Sequence, residues 1–258
     1  MANKTETFES LEEKAKNAIT IEELFPLWEK AHVAEKDHHE TIVGNISKEA
    51  FIEDGYISQS DYLKAPIKIL FILKEANVAD YKLETHTSQV GFYKSFITEE
   101  YDNPPKQKEK MARMAYYLQN PKLSVSERRK PKINDLKKAL EKVAFMNINK
   151  RGGGNKTSPA LFRNYYDKYS TFVQREIKIL NPDIIVVLGK NNTFIKSNDE
   201  KVIHLYFWHT AYGMRTKKLK AERREPSKQD YADNDANVDL YIRKFLEYCE
   251  KEKVFEKV

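Results

Sequence analysis

The sequence is poor in cysteine and contains no long apolar run. Cys249 is the only cysteine among 258 residues, so an internal disulfide and a four-thiolate zinc or iron–sulfur site are both excluded. No stretch of about 18 apolar residues occurs, which excludes a membrane-spanning helix. The amino-terminal segment has no apolar stretch behind its lysines and so does not resemble a signal peptide. We therefore expect a cytoplasmic protein without a metal or other cofactor.

Charge is distributed unevenly along the chain. The formal net charge is +6, from 45 Lys and Arg against 39 Asp and Glu, yet residues 1–65 hold 14 acidic and 7 basic side chains. Residues 104–132 carry 9 basic against 2 acidic side chains, and residues 215–228 carry 7 against 2. Such clusters suit phosphate groups, although a solvated lysine-rich surface has the same pattern. The asymmetry favours DNA as a partner, and we expect the protein to be a monomer.

The first 60 residues have the pattern of helices. Two capping boxes, Ser10 to Glu13 and Thr20 to Glu23, each precede apolar positions such as Trp28. This acidic segment is predicted to be a helical amino-terminal extension packed on a main domain that covers residues 61–258.

Four short apolar runs predict the strands of that main domain. They cover residues 67–73, 143–148, 183–188 and 202–207. Helix-period segments separate the first three, which favours parallel pairing. An aromatic stripe at helical spacing between the second and third runs indicates core packing. The predicted fold class is α/β, a three-layer α/β/α sandwich with a central four-stranded parallel sheet.

Ligands of open parallel sheets bind at the carboxyl ends of the strands, so the residues after each run are the candidates for chemistry. A carboxylate, Glu75, follows the first run. Asn147 closes the second, and His209 follows the fourth. These three side chains are expected to meet in one cleft.

This set of residues resembles the uracil-DNA glycosylase superfamily over residues 66–215. Residues 74–77 are similar to the family's Gly-Gln-Asp-Pro or Gly-Glu-Ala-Pro loop, and residues 147–150 match its Asn-x-x-Lys. Residues 179–190 are similar to its third strand, and residues 209–211 correspond to its His-Pro-Ser loop. The resemblance implies the uracil-DNA glycosylase-like fold and a monofunctional DNA glycosylase, which flips a base out of the stack and hydrolyses its glycosidic bond.

The departures from the family loops bear on the substrate. Lys74 stands where the family has glycine, and Asn77 stands where it has proline. Ala76 occupies the acidic position of one branch, which makes Glu75 the candidate carboxylate. A uracil-like or modified pyrimidine is therefore expected as the substrate, in base excision repair or in defence against phage with modified DNA.

The resemblance and the chemistry together assign the roles. Glu75 and His209 are the predicted catalytic residues, because glycosidic hydrolysis needs a group that stabilises positive charge on the sugar and a donor to the departing base. Base contacts are predicted for Asn147, Phe92 and Asn77. The residues predicted to contact DNA are Lys74, Lys150, Arg151, Met214, Arg215, Lys217, Lys218, Arg223 and Arg224.

Two other functions fit the same sequence. One is a non-catalytic nucleic-acid-binding protein on a glycosylase-like fold, which would use the two basic segments and the aromatic residues. The other is a metal-dependent hydrolase or nuclease built on Glu75 and neighbouring acidic residues, although no second carboxylate closely follows a core strand.

Overall fold

The main sheet has five strands and is mostly parallel. A computed structural model describes residues 6–35, 51–73, 87–88, 94, 97–98, 105–123, 131–151, 158–189, 193–210 and 234–258. The described strands are β1 (Ile52–Glu53), β2 (Gly55–Tyr56), β3 (Ile69–Leu73), β4 (Thr87–Ser88), β5 (Val143–Asn147), β6 (Ile184–Leu188) and β7 (Ile203–Phe207). The order in the sheet is β2-β5-β3-β6-β7, while β1 and β4 pair separately.

The four predicted strands are confirmed, and they pair with one another in parallel, as predicted. The register places Leu73 opposite Asn147, and Leu188 opposite Phe207. Every residue of β3, β5 and β6 is buried, which explains why their sequences are continuous apolar runs rather than alternating ones. The prediction of only four strands is wrong, because β2 adds a short antiparallel pairing along the outer side of β5.

Helices cover both faces of this sheet. The described helices are α1 (Phe8–Asn17), α2 (Ile21–Ala34), α3 (Gln59–Leu63), α4 (Lys106–Gln119), α5 (Ile133–Glu141), α6 (Pro159–Lys168), α7 (Ser170–Leu180), α8 (Asn234–Lys251) and α9 (Val254–Lys257). Phe71 and the side chains that share its face pack with α4, α5 and α8. Leu70 and Ile72, on the other face, pack with α1, α2, α6 and α7. This mixed α/β arrangement is compatible with an α/β/α sandwich.

The two amino-terminal helices belong to the second of these layers. Leu11 and Trp28 are buried in the same hydrophobic cluster as the sheet residues. The predicted cap of α2 is confirmed, since Thr20 Oγ1 accepts a hydrogen bond from Glu23 N at 3.2 Å. The cap of α1 is Thr7 rather than Ser10, because Thr7 Oγ1 accepts from Ser10 N. The division of the chain at residue 60 stays a prediction.

None of the helices that the structure describes combines the length and the apolar character needed to cross a bilayer.

Candidate functional site

The strand order defines where a ligand would approach the sheet. From β3 the chain crosses over to β5 on one side, and from β5 it returns past β3 to β6 and then to β7. The crossovers therefore reverse direction between β3 and β6. In open α/β sheets a crevice forms at such a reversal, outside the carboxyl ends of the strands. Lys74 and Glu75 follow β3 directly in the sequence but lie outside the described residues.

Two of the predicted site residues stand at this carboxyl edge. Asn147 is the last residue of β5, and His209 lies two residues beyond β7. Three strand spacings separate β5 from β7, or about 14 Å. The two residues therefore lie on either side of the reversal.

His209 is held in a loop whose backbone is anchored on both sides. The Tyr241 hydroxyl donates a hydrogen bond to the carbonyl of Trp208 at 2.5 Å. The ammonium of Lys110 donates to the carbonyl of Thr210 at 2.9 Å. Thr210 is buried, whereas His209 is half-buried. The structure therefore fixes the neighbours of His209 and leaves the imidazole partly accessible.

Lys110 and Tyr241 belong to helices of one layer and contact each other. The Lys110 ammonium lies 4.7 Å from the centre of the Tyr241 ring. Lys110 is buried, and burial lowers its pKa, with Lys106 adding to the effect and Glu109 opposing it. Burial raises the pKa of Tyr241, so its hydroxyl keeps its proton and acts as a donor. We call Lys110 and Tyr241, with the two carbonyls that they hold, the loop clamp.

Neither residue of the loop clamp was predicted as a site residue from the sequence. Lys110 was counted in the basic segment 104–132, yet Lys108, Lys110 and Arg113 of that segment are all buried. Arg113 contacts Asp239 on α8 at 2.5 Å and Glu109 at 3.6 Å. No signal in the sequence indicated this burial, because charged residues on a helix usually mark its solvated face.

The carboxyl end of β5 leads into a second cluster of polar side chains, which is buried and has no access to solvent. The ammonium of Lys150 lies 2.5 Å from Asp54 Oδ1 and 2.8 Å from Glu176 Oε2, and all three side chains are fully buried. The other carboxylate oxygen of Asp54 accepts a hydrogen bond from the backbone N–H of Asn147 at 2.5 Å. We call Lys150, Asp54 and Glu176 the buried triad.

The buried triad holds one lysine between two carboxyl groups. Burial raises the pKa of Glu176 well above its usual range; Lys150 opposes this effect and Asp54 adds to it. Both oxygens of Glu176 are buried, and the ammonium of Lys150 lies 2.8 Å from Oε2. The raised pKa of Glu176 favours the neutral form of its carboxyl group beside the ion pair of Lys150 and Asp54.

Arg151, like Lys150, is buried and paired with a carboxylate. Its guanidinium contacts Glu35 Oε2 at 2.9 Å, the carbonyl of His32 at 2.9 Å and the hydroxyl of Tyr169 at 3.2 Å. The Tyr169 hydroxyl in turn donates to the same Glu35 oxygen at 2.7 Å. Arg151 is fully buried, and its contacts bind the end of α2 to the end of β5.

The structure therefore corrects two of the predicted DNA contacts. Lys150 and Arg151 are 0% exposed and are paired with carboxylates inside the protein, so neither presents a charge to a phosphate. Asn147 lies at the predicted edge but is 1% exposed, and its contact with a base stays a prediction. The other predicted site residues lie outside the described part of the chain, namely Lys74, Glu75, Asn77, Phe92, Met214, Arg215, Lys217, Lys218, Arg223 and Arg224.

A groove of about 1200 Å³ lies at the opposite edge of the sheet. It is lined by residues of α7 and by the segments that lead into β6 and β7, including Pro182, Asp199 and Lys201. No predicted site residue lines it. In the part of the chain that the structure describes, no group of three or more His, Cys, Asp and Glu side chains is arranged to hold a metal ion.

Comparison of the chain with protein-family models, with curated proteins and with solved structures finds no match.

Proposed function

We propose that this protein is a monofunctional DNA glycosylase of the uracil-DNA glycosylase-like type. It would hydrolyse the bond between a sugar and a flipped-out uracil-like or modified pyrimidine. The observation that supports the proposal is the carboxyl edge of the parallel sheet, where Asn147 and the anchored His209 stand on either side of the strand that precedes Glu75. Glu75 enters the proposal from its place in the sequence.

The proposed reaction assigns a separate task to each residue. The bond between C1′ and the base nitrogen breaks, and its electron pair leaves with the base. His209 donates a hydrogen bond to the negative charge that develops on the base. The Glu75 carboxylate favours the positive charge that develops on the sugar and accepts a proton from the attacking water, whose oxygen bonds to C1′. The products are the free base and an abasic site.

Recognition of the base is assigned to the other wall of the crevice. An asparagine amide carries both a donor and an acceptor, which suits the Watson–Crick edge of a pyrimidine. Asn77 and Phe92 are proposed to complete the base contacts, with Phe92 stacking on the ring. Met214 is proposed to fill the space that the flipped base leaves in the duplex.

The decisive experiment screens the chain against oligonucleotides, single-stranded and duplex, that carry different modified pyrimidines. Strand cleavage that requires subsequent alkali identifies monofunctional base release, whereas cleavage without alkali indicates a lyase and contradicts the proposal. Binding without base release favours the non-catalytic alternative. Cleavage that EDTA abolishes favours the metal-dependent hydrolase. The substrate that reacts also separates repair of ordinary damage from defence against modified phage DNA.

A second experiment tests DNA as the partner. Replacing Lys217, Lys218, Arg223 and Arg224 by Ala should weaken binding across all sequences and lower the salt slope by about 0.9 for each lost phosphate contact. The matched control removes the same number of charges from exposed lysines elsewhere, at Lys138, Lys178, Lys251 and Lys257. Equal effects of both sets would contradict a specific role for residues 215–228.

A further inference from the structure

The two anchors of the His209 loop come from different helices and act on the two residues next to it. Tyr241 on α8 holds the carbonyl of Trp208, and Lys110 on α4 holds the carbonyl of Thr210. Because both neighbouring carbonyls are held, the backbone at His209 is anchored on each side.

The ammonium of Lys110 is buried where it donates to the carbonyl of Thr210. Taking a lysine out of water carries a large desolvation penalty, and a neutral hydroxyl such as that of Tyr241 satisfies the neighbouring carbonyl without this penalty. The contact between Lys110 and the Tyr241 ring couples the two anchors into one unit. A charged donor bonds more strongly than a neutral one, which suits a loop that must keep its position while a substrate is distorted beside it.

We propose that Lys110 and Tyr241 are positioning residues that hold His209 in the geometry required to stabilise the departing base. This inference rests on the proposed function. Catalysis by a hydrogen-bond donor depends on a donor that is in place before charge develops, so a shift of about 1 Å has a large effect on rate. Neither residue is proposed to touch the substrate.

The chain offers closely matched variants for a test. Tyr241→Phe removes one oxygen, and Lys110→Met removes the ammonium while keeping an unbranched chain over the Tyr241 ring. The control for the first is Tyr248→Phe, because Tyr248 is on the same helix and its hydroxyl accepts a hydrogen bond from Tyr206 N, inside β7 rather than beside His209. The control for the second is Lys106→Met, one turn earlier on α4 and only half-buried.

The first readout needs no substrate. The imidazole signals of the protein are recorded by ¹H–¹⁵N correlation, and His209→Gln identifies the signal of His209. We expect this signal to shift and broaden in Tyr241→Phe and Lys110→Met, and its modification by diethyl pyrocarbonate to accelerate about threefold as the loop loosens. The two controls should leave both properties unchanged.

The second readout uses a substrate found in the alkali screen. We expect kcat to fall about tenfold or more in each clamp variant with little change in KM, because positioning acts on the transition state. Unchanged His209 signals and reactivity in folded Tyr241→Phe and Lys110→Met proteins would overturn the inference. If Lys110→Met does not fold, Tyr241→Phe decides alone. Changed His209 signals in a protein that releases no base would support the clamp and contradict the proposed glycosylase instead.

Discussion

The carboxyl ends of β5 and β7 are alike in sequence and opposite in structure. Both strands are followed by polar residues at the same edge of the sheet. After β5, Lys150 and Arg151 turn inward and are fully paired. After β7, buried groups hold the backbone while His209 stays half-buried. Position at a strand end is therefore not sufficient to predict a functional site. At the same edge of the sheet, the charged residues after β5 are buried in ion pairs, whereas His209 after β7 remains partly accessible.

The largest expected effect comes from removing Lys150 from the buried triad at the carboxyl end of β5. Lys150→Met leaves the buried Asp54 carboxylate without its ammonium, so we expect the free energy of unfolding to fall by about 3–5 kcal/mol in urea titrations. Lys138→Met is the control, since Lys138 is exposed on the helix before β5, and it should change stability by less than about 0.5 kcal/mol. A similar small change in both variants would mean that the triad is not a closed, paired group.

The next largest effect is expected at the carboxyl end of β7, where His209 is partly accessible. His209→Ala should lower the rate of base release by about 10²–10³, equivalent to about 2.7–4 kcal/mol of transition-state stabilisation. DNA binding and unfolding should change little. His204→Ala is the control, because His204 lies within β7 and accepts a hydrogen bond from Ser197 N at 2.9 Å. Wild-type turnover in His209→Ala would remove this residue from the mechanism.

A pH series tests the protonation of the buried triad. The pKa of Glu176 is raised in the folded protein, so its stabilising contribution is complete below the ordinary glutamate value and is lost as the pH rises towards the folded value. The slope is at most about 1.4 kcal/mol per pH unit for one proton.

Glu176→Gln removes this titration and keeps the shape of the side chain. Its stability relative to the wild type should increase between pH 5 and pH 8 in urea titrations. The exposed Glu247→Gln is the control, and its curve should run parallel to that of the wild type. Parallel curves for Glu176→Gln as well would show that Glu176 is ionised in the folded state.

The smallest expected effect comes from an exposed ion pair between an arginine and a carboxylate, which can be compared with the buried pair of Arg151 and Glu35. Arg163 Nε lies 2.9 Å from Asp167 Oδ1 on α6, with both side chains about half exposed. A double-mutant cycle with Arg163→Gln and Asp167→Asn should give a coupling energy of about 0.3–0.5 kcal/mol that disappears at high salt. A value equal to that of the Arg151–Glu35 pair would remove the distinction between exposed and buried pairs.

The strands of this protein could be predicted because a strand that is buried on both faces has a continuous run of apolar residues. Residues 69–73 and 184–188 are continuous apolar runs, and the observed strands begin within two residues of the predicted starts. The strand β2 has no comparable signal, because it is only two residues long, Gly55 and Tyr56, and pairs with β5 through backbone groups.

The roles of the charged residues could not be predicted in the same way. A lysine in a sequence looks the same whether it faces a phosphate or a buried carboxylate. Asp54 lies 96 residues before Lys150, and Glu35 lies 116 residues before Arg151, so no local pattern connects the partners. The edge that carries Asn147 and His209 was predictable from strand direction, whereas the loop clamp depends on how α4 and α8 pack.

The distances along the chain between the paired residues also set an order for folding during synthesis. Trp28 donates a hydrogen bond to the hydroxyl of Tyr165, which is 137 residues later, and a ribosome takes roughly 7–27 s to add that many residues at about 5–20 per second. During that interval α1 and α2 have emerged, but α6 and α7, which cover their apolar faces, do not yet exist. The amino-terminal helices are therefore made long before the helices that pack on them, so part of the apolar surface around Leu11, Leu24 and Trp28 stays uncovered until α7 is complete.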